Sequence, residues 1–345
     1  MRAMHAYKHR VALVLVCLVY FVVYTLIEIW RGKEPLLPDM ITSYKVKYFD
    51  SILLQKMRSD GDNTTLPQLK MNGTFHIITT FFVFSDPRWS ANLWNSDTGR
   101  VPSKVDLQTR QDEVLYCLKA NLQHKAIASI NILHNSSSAV DFLSSLKVPS
   151  KQKLVLYDVM EEQSILVIFK FIIAHFLHQN IIFMHMDNYL GDGFDQINTN
   201  RLQREKLVYS LTRHYPEDIA CRSARVNANC NKGSKYIGSH DAFIFNLKSP
   251  FPSNHLHYLN FTPNEYGQEN ILIWLFHTRL GYRVENPCKV LKVLHRHCIG
   301  IRERGRKRHD VPVDTSLRGV FSYLARTVFG LNLMRDDFVP FSNRL

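Results

Sequence analysis

Residues 11 to 30, VALVLVCLVYFVVYTLIEIW, run seventeen positions before the first charge at Glu28. That is enough helix to cross roughly 25 to 30 Å of hydrocarbon. The segment ends in Glu28, Ile29, Trp30 and Arg31 without a small-residue cleavage site, so it reads as a retained signal-anchor rather than a removed signal peptide. Arg2, Lys8 and Arg10 precede it with no acidic residue, which favours a cytoplasmic N-terminus. Everything downstream is then expected to fold as a lumenal domain on a single-pass, type II anchor, in the Golgi or endoplasmic reticulum membrane.

Four N-x-S/T acceptors follow the span, at Asn63, Asn72, Asn135 and Asn260; they are usable only on the lumenal side. Cys17 lies in the span, and five cysteines remain. Of these, Cys221 and Cys230 close a short polar segment and form the best disulfide candidate in an oxidising compartment. No C-x-x-C pair occurs, which argues against a structural zinc site. The net charge of +13 requires an anionic partner. For a lumenal chain this points to phosphate-bearing small molecules, anionic glycans or membrane surfaces, and not to nucleic acid.

The order of segments is a cytoplasmic tail (1–10), the anchor (11–30), a polar stem rich in Pro and Gly (31–73), a domain over 74–310 and a C-terminal extension (311–345). At Phe75 the pattern changes to FHIITTFFVF, a β-branched and aromatic run suited to a buried strand. Further strands are predicted at 128–134, 153–159, 181–187, 206–214 and 242–246. Helices are predicted at 107–122 and 269–281, the latter closed by Gly281. The stretch ILVIFKFIIAHFLHQN is apolar nearly all round but short and broken by Lys170 and His175, so it reads as a buried helix rather than a second span. Strands alternating with helices indicate an α/β sandwich on a mixed, mainly parallel sheet. The extension places Leu317, Val320, Phe321, Leu324 and Val328 at helical spacing, a stripe suited to packing on the domain or lying along a membrane.

Four constellations are placed to carry chemistry. Asp187 terminates an apolar strand, where α/β sheets bind ligands, and Asn188, Asp192 and Asp195 follow it; such oxygen ligands suit a hard cation, and acidic turns of this kind are also common without one. Ser239, His240 and Asp241 precede the AFIFN strand after Gly238, either as site residues or as a capped turn. Glu269 and Asn270 open a helix whose N-terminal end favours anions. In NPCKVLKVLHRHCIGIR, His295 and His297 point the same way on a strand, followed by a basic run that includes Arg302. These suit a metal and a diphosphate, or a solvated basic tail.

Together and in this order, the pieces resemble a family of GT-A-type, nucleotide-sugar-dependent glycosyltransferases found among large-virus, protist and bacterial sequences. The matching elements span about residues 76–303: the TTFF strand, the helix RQDEVLYCLKAN (Arg110, Glu113, Cys117, Leu118, Asn121), MDNY, LTRH, GSHDAFIF, YGQEN and NPCKVLKVLHRH. The family usually has an N-[SA]-D-like triplet where this chain has His185, Met186 and Asp187, so only the last acid of a D-x-D-like motif is kept. The resemblance implies a GT-A-like (Rossmann-like) sheet that binds a nucleoside-diphosphate sugar and transfers the sugar to a glycan or glycoprotein. It implies Asp187 as a ligand to Mn²⁺ or Mg²⁺ or as a diphosphate contact, with His297, alternatively His295, as a further ligand. Asp241 and Glu269 are candidates for the catalytic base, and Arg213, Ser239, His240, Asn270 and Arg302 for binding donor groups. A sulfotransferase would need a phosphate-cradling loop after the first strand, whereas this chain has SDPRWSANLWNSDTGR there. A non-catalytic sugar-binding protein of the same fold is the remaining alternative.

Overall fold

The computed structural model describes residues 74–159, 163–215, 240–263 and 265–306. The expected anchor, stem and C-terminal extension lie outside these residues. So do Asn63, Asn72, Ser239 and the expected Cys221–Cys230 pair. Among the described residues, no helix is long and apolar enough to cross a membrane.

The strands are β1 (Phe75–Thr80), β2 (Leu93–Asn95), β3 (Ile127–His134), β4 (Leu154–Asp158), β5 (Asn180–Met184), β6 (Asn188–Leu190), β7 (Leu207–His214), β8 (His240–Asn246), β9 (Arg283–Glu285), β10 (Val293–His295) and β11 (Ile301–Glu303). The helices the site depends on are α1 (Pro87–Ser90), α2 (Lys104–Gln123), α3 (Ser137–Ser145), α4 (Ile165–His175) and α5 (Gln268–Trp274), the last continuing as a π-helical turn over Leu275–Arg279. The main sheet runs β4-β3-β1-β5-β8-β7-β10-β6, with β9 also paired to β7. Five of its eight pairings are parallel and three antiparallel, so the expected mixed sheet with a parallel majority forms. β2 and β11 make a separate two-stranded ribbon.

Strand periodicity divides the core in two. Ile77, Ile182, Met184, Ala242 and Ile244 face one cluster, closed by Val114, Leu118 and Leu122 of α2 and by Ala139 and Leu143 of α3. Their neighbours Ile78, Ile181, Phe183, Phe243 and Phe245 face the other, closed by α4 and α5. The all-apolar segment is therefore a buried helix packed on the sheet: Phe169 and Ile172 are fully buried in α4. Burying a side chain of that size contributes about 1.5 to 3 kcal/mol. The strand predicted over 181–187 ends at Met184, because its antiparallel partner β8 pairs no further than Ala242. The chain then turns and re-enters the sheet as β6, against β10.

Candidate active site

Asp187 sits in the turn between β5 and β6, closed by the Asn188 N–H donating to the His185 carbonyl at 3.1 Å. Its backbone carbonyl accepts from Arg296 N–H at 2.9 Å, which ties the turn to the end of β10. The Asp187 carboxylate Oδ2 lies 2.5 Å from Arg110 Nη2, 3.1 Å from His295 Nε2 and 3.5 Å from His297 Nδ1. Both histidines, given by the sequence as alternatives, approach this carboxylate, although β10 ends at His295 and His297 lies beyond it. Burial opposes ionisation of Asp187, yet His295 and Arg110 hold its carboxyl well below the usual carboxylate range.

Helix α2 supplies the underside of this turn. Ser103 and Asp106 cap it reciprocally, and Arg110, Glu113, Cys117 and Asn121 recur along one buried face. Arg110 Nη1 donates to Glu113 Oε2 at 2.7 Å and to the Arg296 carbonyl at 2.9 Å. The other Glu113 oxygen accepts the N–H groups of Cys298 (2.8 Å) and Ile299 (3.2 Å). Asn121 grips β6 at both ends of its amide, donating to the Asn188 carbonyl and accepting from Leu190 N–H. Buried polar groups need such partners, because each one left unmade costs about 1 to 3 kcal/mol.

The segment after His297 is clasped from the far side. Gly300 N–H donates to Asp97 Oδ2 at 2.9 Å, and its carbonyl accepts from Ser96 N–H at 2.7 Å. A Cβ at Gly300 would stand 2.5 Å from Asp97 Oδ1 and from Ser96 Oγ, so the close approach requires glycine. His297 Nε2 lies 3.1 Å from the Ile301 carbonyl, to which it donates. Burial and the nearby Arg110 charge push the His297 pKa down to about 3.

These elements enclose a cleft of about 480 Å³, within the usual size of a small-molecule site, roughly 300 to 1,000 Å³. Asp187, His295, His297, Arg213, Asp241, Glu269 and Arg302 all line it. Arg213 Nη1 lies 3.0 Å from Asp241 Oδ2; burial opposes its charge, but Asp241 prevails and raises the arginine pKa. Two sequence-predicted residues do not line the cleft. His240 is fully buried in β8, where its Nδ1 hydrogen-bonds the Ser210 carbonyl at 3.0 Å, and it does not line the cleft; strand alternation turns it opposite to Asp241. Asn270 is half-buried and likewise absent from the lining. Of the two described sequons, Asn260 is exposed and Asn135 only half-exposed.

Residues that the sequence reading left without a role also reach the site. His185, half-buried beside Asp187, pairs with Gln268 through nitrogens 2.8 Å apart; burial lowers its pKa. Arg110 lines the cleft directly, and Glu113 holds the loop that carries His297. The signal for both is the charged stripe in RQDEVLYCLKAN, where Arg110 and Glu113 stand three residues apart on one helix face. Among the described residues, Gln163 Oε1, Gln268 Oε1, Arg213 Nε and Arg306 Nε are buried and without a partner, and all four side chains line the cleft. Such orphaned polar atoms suit a ligand that supplies both donors and acceptors.

The residues fit a divalent cation. One carboxylate and two imidazoles, from Asp187, His295 and His297, place their ligand atoms within 4.8 Å of one another.

No protein-family model and no curated protein matches the chain. Among solved structures, HddC from Yersinia pseudotuberculosis aligns over 72% of this chain and 97% of its own, at 10% identity and a TM-score of 0.30. A structure assigned as a glucose-1-phosphate thymidylyltransferase from Bacillus anthracis, in complex with sucrose, aligns over 76% of this chain and 98% of its own, at 12% identity and a TM-score of 0.31. At TM-scores this low the likeness carries no information on chemistry.

Proposed function

We propose that this protein is a type II membrane glycosyltransferase of the secretory pathway, moving a sugar from a nucleoside-diphosphate donor to a glycan or glycoprotein acceptor. The observation that carries the reading is the convergence of Asp187, Asp241 and Glu269 with Arg213 and Arg302 on one cleft. Carboxylates and guanidiniums gathered in a site of that size suit a ligand with a polyhydroxylated end and a diphosphate end. Cys288 and Cys298 are both disulfide-bonded, which favours an oxidising lumen.

In this reading the bond between the anomeric carbon and the diphosphate oxygen breaks as the acceptor oxygen bonds to that carbon, and the acceptor proton passes to a carboxylate. We assign this role to Glu269, which lines the cleft at the start of α5, and the donor hydroxyls to Asp241, which lines the same cleft beside Arg213. Arg213 and Arg302 stabilise the departing diphosphate. A cation held by Asp187, His295 and His297 would add charge stabilisation at the same diphosphate. Glu269→Gln is expected to lower kcat by about 10² to 10⁴ while nucleotide-sugar affinity stays within about twofold. An unchanged kcat would remove Glu269 as the base.

One observation favours a sugar-binding protein without transfer activity: two cleft carboxylates are already paired with arginines, Asp187 with Arg110 and Asp241 with Arg213. Slow hydrolysis of a bound donor in the absence of acceptor distinguishes the enzyme from that alternative.

A further inference from the structure

Five arginines line the cleft, and they differ in what they face. Arg88 is paired with Asp86, Arg110 with Asp187 and Glu113, and Arg213 with Asp241. Arg302 and Arg306 form no ion pair among the described residues. With Arg302 on the diphosphate, Arg306 is left without a role. Its guanidinium lies 5.7 Å from the centroid of the Tyr266 ring, and its Nε is buried without a hydrogen-bond partner. Burial lowers the Arg306 pKa, and the neighbouring Arg302 charge adds to the effect. Glu303, in the same cleft, offsets this in part without coming into ion-pair range. A half-buried, unpaired guanidinium is costly to keep unless an anion reaches it. Its Nε–H and one Nη–H form a fork that matches two oxygens of a carboxylate, sulfate or phosphate group.

Position decides which part of a substrate carries that anion. Tyr266 is one of four large apolar side chains exposed among the described residues, at 45%, and of these it alone lines the cleft. Gly267, at a φ of 84°, turns the chain from Tyr266 into α5. Tyr266, Gln268 and Glu269 therefore reach the cleft from one short loop, where Gln268 Oε1 is buried without a donor. An acceptor whose hydroxyl meets Glu269 lies beside Tyr266 and the arginine over its ring. We propose that Tyr266, Gln268 and Arg306 form the acceptor subsite, and that the acceptor is an acidic glycan whose anionic group pairs with Arg306 while its sugar ring packs against Tyr266. This names the acceptor class within the transferase reading and rests on that reading for the role of Glu269. Gln268 Oε1 accepts a hydroxyl of the same sugar.

The test uses the full chain purified in detergent, titrated with matched pairs of sugars and followed by ligand-observed NMR. The pairs are methyl β-glucuronide and methyl β-glucoside, galactose 6-sulfate and galactose, and mannose 6-phosphate and mannose. At least one acidic sugar should bind at least about tenfold tighter than its neutral twin, and the pair that shows this identifies the anionic group. Arg306→Met should reduce the preference to within about twofold, Arg306→Lys should keep only part of it, and Tyr266→Ala should weaken both twins. Affinity for UDP and GDP with Mn²⁺ present should change by less than about twofold in Arg306→Met. Thermal unfolding verifies that each variant folds; should Arg306→Met fail to do so, Arg306→Lys and the unaltered chain still decide. No preference for any acidic sugar, a preference unchanged in Arg306→Met, or a loss of about tenfold or more in nucleoside diphosphate affinity in that variant would overturn the proposal. A chain that binds a nucleotide sugar but no acidic sugar keeps the transferase reading and loses this one; a chain that binds an acidic sugar through Arg306 but no nucleotide sugar does the reverse.

Discussion

The two faces of the central sheet are covered by helices of opposite character. On one side α4 and α5 bring a nearly continuous aromatic and aliphatic surface, in which Phe169 packs with Phe183, Phe245, Phe251 and Phe276. On the other, α2 buries Arg110, Glu113 and Asn121 alongside Val114, Leu118 and Leu122. A dry face holds the fold by area alone and tolerates small displacements of one ring against another. A polar face is satisfied only at fixed distances, so it transmits position. The Asp187 end of the site is built on the second face, where Asp187, β6 and the loop after His297 are all gripped by side chains of one helix.

That contrast breaks if truncation on the dry face disturbs ligand binding more than stability. Phe169→Ala is expected to cost about 3 to 5 kcal/mol, lowering the denaturant midpoint, with nucleotide-sugar affinity of the folded fraction unchanged. Asn121→Ala sharpens the other half. Losing both of its hydrogen bonds to β6 is expected to cost about 1 to 3 kcal/mol, a smaller stability loss than Phe169→Ala, yet to weaken cation or donor binding measurably in calorimetry. A stability loss with no binding effect would show α2 to be ordinary packing.

A smaller effect is expected from pH. His76 and His175 lie on the dry face, against Phe176 and Phe171, and burial lowers both pKa values from 6.5. In the window below 6.5 the unfolded chain binds protons that the folded chain refuses. Their contribution to stability is therefore fully present above pH 6.5 and declines as pH falls below it. Thermal unfolding between pH 7.5 and 5 should show the decline, and replacing both histidines with Gln should reduce its slope. A slope unaffected by the replacements would place the sensitivity elsewhere.

The dry face was legible in the sequence because its residues state their own environment. The β-branched and aromatic runs gave β3, β4, β7 and β8 to within about two residues and the start of β1, whose run FHIITTFFVF continues four residues past the strand, and the all-apolar segment became α4. Asp241 and Glu269 were legible as chemistry next to a strand and a helix start, and they share a cleft. The polar face was harder to read, because a buried Arg110 or Glu113 looks like any solvated helix charge until its partner, distant in sequence, is known; Glu113 meets Cys298 and Ile299 only through the tertiary fold. His240 misled for a related reason: its chemistry suits a site, but its place in β8 turns the ring toward Ser210. The strand predicted over 181–187 is longer than β5 because Met186 continues the apolar character, whereas the pairing of β5 with β8 stops at Met184 and Ala242.

The central claim is that the cleft around Asp187 holds a nucleoside-diphosphate sugar, and the most direct measurement is calorimetric titration of the purified chain with a panel of such donors in the presence of Mn²⁺. At least one donor should bind to the unaltered protein, and Asp187→Ala should lose at least about tenfold in affinity for it while unfolding cooperatively. Absence of binding to every donor, or equal binding by the Asp187→Ala variant, would contradict the account.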